Sequence, residues 1–281
     1  MSKPQWITAG IAFFMVLGLY AATQNEIFGP PKKNQSSAPV ATGAQLSIDT
    51  ILFHAKENLS VEQATRLTFL EHSISRGDVK DQQLHIYHQL ARFWADSARI
   101  FAPFAWYTAE AARLENSEKS LTFAAHLFLN NLVGDANAQL KEWEAFQAKD
   151  LFERSLKVNP NNDSAKVGLG AVYLYGGMSN PMQGISMIRE VADKDSTNTY
   201  AQWTLGEASI FSGQLDKALE RFKRVARQQP GNMEATLRVA DIAEQMGRKE
   251  EAIEWYSKLL PSINNAAIKQ EVEARIARLR K

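Results

Sequence analysis

Residues 199–230 read TYAQWTLGEASIFSGQLDKALERFKRVARQQP. Leu205, Gly206 and Ser209 fall on one side of a first helix, and Gly213 breaks it. Ala218, Phe222 and Val225 stripe a second helix that Pro230 stops. Two short antiparallel helices, each with one apolar stripe and a small residue at their closest approach, cannot bury both faces alone. The hairpin must stack on copies of itself.

The copies are present. A step of 34 residues forward carries Ala218 to Ala252, Phe222 to Tyr256, Val225 to Leu259, Leu205 to Val239, Gly206 to Ala240 and Gly213 to Gly247. A step of 36 back carries Leu205, Gly206 and Gly213 to Leu169, Gly170 and Gly177, with the two extra residues in the turn that follows. Gly184, Ile188 and Val191 then fill the second-helix slots, and Ala148, Phe152 and Pro160 fill them one repeat earlier.

At these positions the chain resembles the tetratricopeptide repeat family. That pattern has a large residue, Leu-Gly and Tyr in the first helix, then Ala, Phe, Ala and Pro in the second. Leu169, Gly170, Tyr173, Leu205, Gly206, Ala218, Phe222, Ala252, Tyr256, Pro160 and Pro230 fit. Gln202 and Thr236 depart at the large slot, Ser209 and Ala243 at the Tyr slot, and Asn264 at the Pro slot. The likeness covers roughly residues 145–266 and is degenerate before them. It implies an all-α, right-handed solenoid of antiparallel helix pairs. Its concave face, built mostly from first helices, would take a protein or peptide partner.

Composition narrows the classes. The 281 residues suffice for one large domain or a short array, and 45% hydrophobic content permits a sizeable core. A net charge of +1 argues against a wholesale nucleic-acid binder. With no cysteine, disulfides, thiolate catalysis, Cys-ligated zinc and a lipidated-Cys anchor are all excluded.

The N-terminal stretch 6–22, WITAGIAFFMVLGLYAA, carries no charge and would span roughly 25 Å as a helix. Trp6 and Tyr20 sit near its ends, where amphipathic rings favour the headgroup level. The competing readings are a cleaved signal peptide, for which Tyr20 and Leu19 fit the cleavage rule poorly, and a buried soluble helix. The expectation is an uncleaved single transmembrane helix over residues 1–23, then a Pro/Ser/Ala-rich linker over 24–45. It sets the membrane contact at residues 6–22, in a bacterial inner membrane with the N-terminus cytoplasmic and the repeats periplasmic. Residues 46–144 read as an irregular helical region with degenerate repeats, in which Ser60 and Gln63 form a capping box. Leu84–Trp94 reads as a first helix and Pro103 opens a second. Residues 145–266 hold the clear repeats, and a polar helix over 267–281 closes the stack.

No motif asks for a catalyst. There is no Gly-x-Ser-x-Gly elbow, phosphate loop or His-Glu-x-x-His pair, so no cofactor and no metal are expected. His85 and His88 share a helix face but read as surface or core-packing residues. The face opposite the packing stripe carries Val167, Leu174, Tyr175, Tyr200, Trp203, Glu207, Ile210, Phe211, Leu237 and Asp241, which form the expected protein-binding groove. Where chaperone-clamping repeat domains use Asn and basic residues, this chain has Gly168, Ala171, Thr204, Glu207 and Asp241, with Arg238 the only cation. An acidic tail would be repelled there. The reading is a membrane-anchored adaptor, and its resemblance to anchored bacterial repeat proteins implies a place near a membrane or envelope complex. The alternatives are a permanent structural subunit and, with no motif behind it, an enzyme or enzyme subunit.

Overall fold

The computed structural model describes residues 46–74 and 79–281. The expected anchor and linker lie outside the described residues. Leu46–Lys281 forms one compact unit. Among the described residues there are helices and no strand, arranged as a tetratricopeptide-like repeat solenoid. None of the helices is long and apolar enough to cross a membrane.

The helices are α1 (Ile48–Glu57), α2 (Val61–Ile74), α3 (Lys80–Arg92), α4 (Phe101–Glu115), α5 (Glu118–Gly134), α6 (Ala138–Val158), α7 (Asp163–Tyr175), α8 (Pro181–Lys194), α9 (Thr199–Phe211), α10 (Leu215–Gln228), α11 (Met233–Gln245), α12 (Lys249–Leu259) and α13 (Ala266–Leu279). The dominant contacts pair α5 with α6, α7 with α8, α9 with α10 and α11 with α12. Second helices then pack on the next first helix, as α10 does on α11, so each pair leans chiefly on its neighbours. First helices also meet one another, α5 against α7 and α7 against α9, and that row makes one face of the stack.

Local chemistry sets the helix ends. Asn162, Asn198 and Asn232 each accept a hydrogen bond from a backbone N–H three residues on, capping α7, α9 and α11. Gly177, Gly213 and Gly247 close those helices at φ of 70–72°, a conformation a side chain would strain. The expected capping box forms, with Gln63 N–H donating to Ser60 Oγ and Ser60 N–H to Gln63 Oε1. Within the pairs, small residues meet large ones. A Cβ on Gly206 would lie 2.8 Å from the Phe222 ring, and one on Gly170 would lie 2.5 Å from Ile188 and 2.8 Å from the Gly184 carbonyl oxygen. Phe152, Ile188, Phe222 and Tyr256 are the corresponding buried side chains.

Two features of the first half depart from the sequence reading. Helix α3 ends at Arg92 and runs into a π-helical turn, Phe93–Ala98, which buries Phe93 and Trp94 before Arg99 turns left-handed at φ 56°. Helix α4 therefore begins at Phe101, and Pro103 sits inside its first turn, where its missing N–H leaves no bond unmade.

Candidate functional site: a cleft on the first-helix face

The row of first helices opens into a cleft of about 510 Å³. Helix α9 contributes the largest share of its wall through Tyr200, Trp203, Thr204, Glu207 and Phe211. Helix α7 adds Ala171, Leu174 and Tyr175, and α11 adds Glu234 and Arg238. Helix α5 closes the far end with Leu129, Asn130 and Val133, beside Lys141 from α6. A second recess of about 720 Å³, between α6 and the turn after α7, shares Lys141 and Tyr175 with the first. The two recesses therefore adjoin at these residues.

The aromatic rings are held to different degrees. Phe211 ends α9 and is 78% exposed, its ring 6.1 Å from that of Tyr175. Trp203 is half-buried and meets Phe222 edge-on at 5.1 Å, so one face of the indole serves the core. Tyr200 packs beside Leu174 on the Val167–Leu205 core, and its ring lies 5.6 Å from His126. His126 in turn meets Phe152 edge to face, with Nε2 3.1 Å from Ser164 Oγ, and burial lowers its pKa.

Glu207 is the ionisable group between the rings. Its Oε1 is shielded from water and has no hydrogen-bond donor. Arg238 Nη2 comes within 3.3 Å of that oxygen, close enough for an ion pair but outside hydrogen-bond geometry. Burial raises the Glu207 pKa, Arg238 opposes the rise and Glu234 adds to it. Burial, with Glu207 nearby, pushes the Tyr175 hydroxyl up to about 12.

Six of the ten expected groove residues line this cleft: Leu174, Tyr175, Tyr200, Trp203, Glu207 and Phe211. Val167 does not belong there. It is fully buried with Ile188, Val191, Ala201 and Leu205, because α8 and α9 close over that side of α7. Ile210 is half-buried against the core around Phe222, and Leu237 is exposed outside the cleft. Asp241 also lies away from it, accepting hydrogen bonds from Tyr256 and Arg275. The sequence reading missed Leu129, Asn130, Val133, Lys141 and Glu234. Lys141 is a second cation beside Arg238, and it comes from a second helix, where first-helix spacing could not locate it. Among the described residues no three His, Asp or Glu gather as a metal set. His85 instead lies within 2.8 Å of Gln89.

Residues 204–267 match the family model described as Tetratricopeptide repeat. No curated protein sequence matches the chain. Among solved structures, the chain is similar to PilW, a widely conserved type IV pilus biogenesis factor. That match has 14% identity, covers 81% of this chain and 99% of that one, and has a TM-score of 0.51. PilF of Pseudomonas aeruginosa aligns at 16% identity over 71% and 85% of the two chains, with a TM-score of 0.50. MamA of Desulfovibrio magneticus RS-1 aligns at 19% identity over 67% and 99%, with a TM-score of 0.47. At these identities the likeness is one of fold.

Proposed function

We propose that this chain is a non-enzymatic adaptor whose first-helix cleft holds a segment of a partner protein, and that residues 6–22 tether it to a bacterial inner membrane. The observation that carries the reading is the exposed ring of Phe211, set with Tyr175 and Trp203 around one open cleft. Exposed aromatics rimmed by polar groups mark interaction sites, and such anchors supply most of the affinity in a helical groove. On this reading the stack is a right-handed solenoid on the periplasmic side. The pilus biogenesis factor of the same fold supports an envelope role by analogy alone.

A second reading, a permanent structural subunit, has its own support. Phe53, Val61 and Phe69 of the first two helices are exposed at 62%, 86% and 73%, which suits a lasting contact. Crosslinking the full chain in intact membranes separates the two. A salt-sensitive partner lost in Phe211→Ala supports the adaptor, and a stoichiometric partner kept in Phe211→Ala supports the subunit. Protease added to spheroplasts should digest residues 46–281, and protection until lysis would reverse the topology.

A further inference from the structure

Among the described residues two carboxylates keep an oxygen away from water with no donor to meet it, Glu144 and Glu207. Glu144 is sealed within the α5–α6 contact, where Asn131 satisfies its other oxygen. Glu207 differs because it lines an open cleft, so a ligand that moves Arg238 aside can reach its shielded oxygen. A shielded carboxylate oxygen without a donor is costly unless something supplies one. Arg238 does not align with it, and at 41% side-chain exposure the guanidinium has room to swing aside.

The surroundings select the kind of donor. Tyr175, Trp203 and Phe211 ring the same space, and aromatic faces attract cations. A second carboxylate, Glu234, lines the cleft as well. An acidic side chain could reach Lys141 or Arg238 but would leave Glu207 unsatisfied and be repelled by it. A lysine brings three donors on a compact charge, and its apolar stem suits an aromatic wall.

We propose that the cleft reads a lysine of the bound segment, with the ammonium donating to Glu207 Oε1, the stem between the rings and Arg238 displaced. This rests on the groove reading above and adds the chemistry of the occupant. The test is selection of short random displayed peptides on the full chain, on Glu207→Gln and on Arg238→Gln, with circular dichroism to show that each variant is folded. Peptides recovered on the unaltered chain should be enriched in lysine. A synthetic peptide from that set should bind Glu207→Gln about tenfold more weakly, and its Lys→norleucine form should lose the same factor on the unaltered chain only. Arg238→Gln should bind it more tightly, which keeps the test sharp if Glu207→Gln unfolds. Capture of peptides with no basic preference, or an affinity indifferent to Glu207→Gln, overturns the lysine reading, leaves the groove intact and means that Glu207 is met by water. Acidic enrichment overturns it in favour of Lys141 and Arg238. No peptide captured by any of the three proteins overturns the groove reading and this inference together.

Discussion

Phe211 and Trp203 put similar rings to different uses. Phe211 stands in solvent at the end of α9, whereas Trp203 shares its indole with the Phe222 core. Phe211→Ala should therefore shift the melting temperature by no more than about 1–2 °C while weakening partner capture. Trp203→Ala should do both, losing about 1–3 kcal/mol because only part of the ring is buried. Thermal melts and capture measured on the same two proteins check this, and equal melting losses would place Phe211 in the core. Glu144 offers a separate test. Burial raises its pKa to about 7, with the Asn131 hydrogen bond opposing and Asp135 assisting. The folded state then holds a proton that the unfolded state releases near pH 4.5, so stability falls as pH rises from there through about 7 and stays low above. The loss is on the order of 2–3 kcal/mol. Glu144→Gln should flatten that decline, narrowing the melting gap between pH 5 and pH 8, and an unchanged gap would remove Glu144 as its cause. Neither role was legible residue by residue. The i, i+4 and i, i+8 spacing that puts Trp203, Glu207 and Phe211 in line also fits Val167 on α7, and only the helices laid over α7 decide that Val167 is core.

Helix pairs were the most legible level, because close approach requires small residues opposite large ones and leaves that pattern in the chain. Gly206, Ala218 and Phe222 announce the pair α9–α10, and the same signal recurs at Gly170, Gly184 and Ile188. The two glycine contacts are not equivalent. A methyl on Gly206 presses on the far end of the Phe222 ring, which can shift, and the added helix propensity of alanine offsets about 1 kcal/mol. A methyl on Gly170 meets the backbone carbonyl of Gly184, which cannot yield without separating the helices. Gly170→Ala should cost about 1–3 kcal/mol and Gly206→Ala clearly less. Chemical denaturation of the two variants checks the order, and a reversed order would mean that α7 and α8 are less tightly apposed. The π turn at Phe93–Ala98 was not legible, since an inserted residue changes hydrogen-bond register without changing composition. The Asn caps at 162, 198 and 232 form a third periodic signal, fainter than the apolar stripes because it is a single polar residue per repeat.

Across Leu46–Lys281 the pairs α5–α6 to α11–α12 form a row, and α13 packs on the last of them. Val272 and Ile276 of α13 join the core around Trp255, Tyr256 and Leu259, and Arg275 bonds both Asp241 and the Tyr256 hydroxyl. Deleting residues 266–281 should expose that surface and give a lower melting temperature with self-association, read by light scattering. A monomer of unchanged stability would show that α13 is dispensable. Ties between side chains of neighbouring pairs recur along the stack: Arg113 to Asp150, Lys223 to Glu251, Arg248 to Asp216 and, from α13, Arg275 to Asp241. Because these ties and packed faces join neighbours, the seams stand in series: each carries the full load applied at the two ends, and the weakest gives first. Pulled in an optical trap, the chain should lengthen in steps of roughly 110 Å, the contour of one 34-residue pair at about 3.3 Å per residue, in place of a single rupture. Set between a fixed support and a moving load, such a stack would act as a shock absorber whose stroke is set by the repeat length.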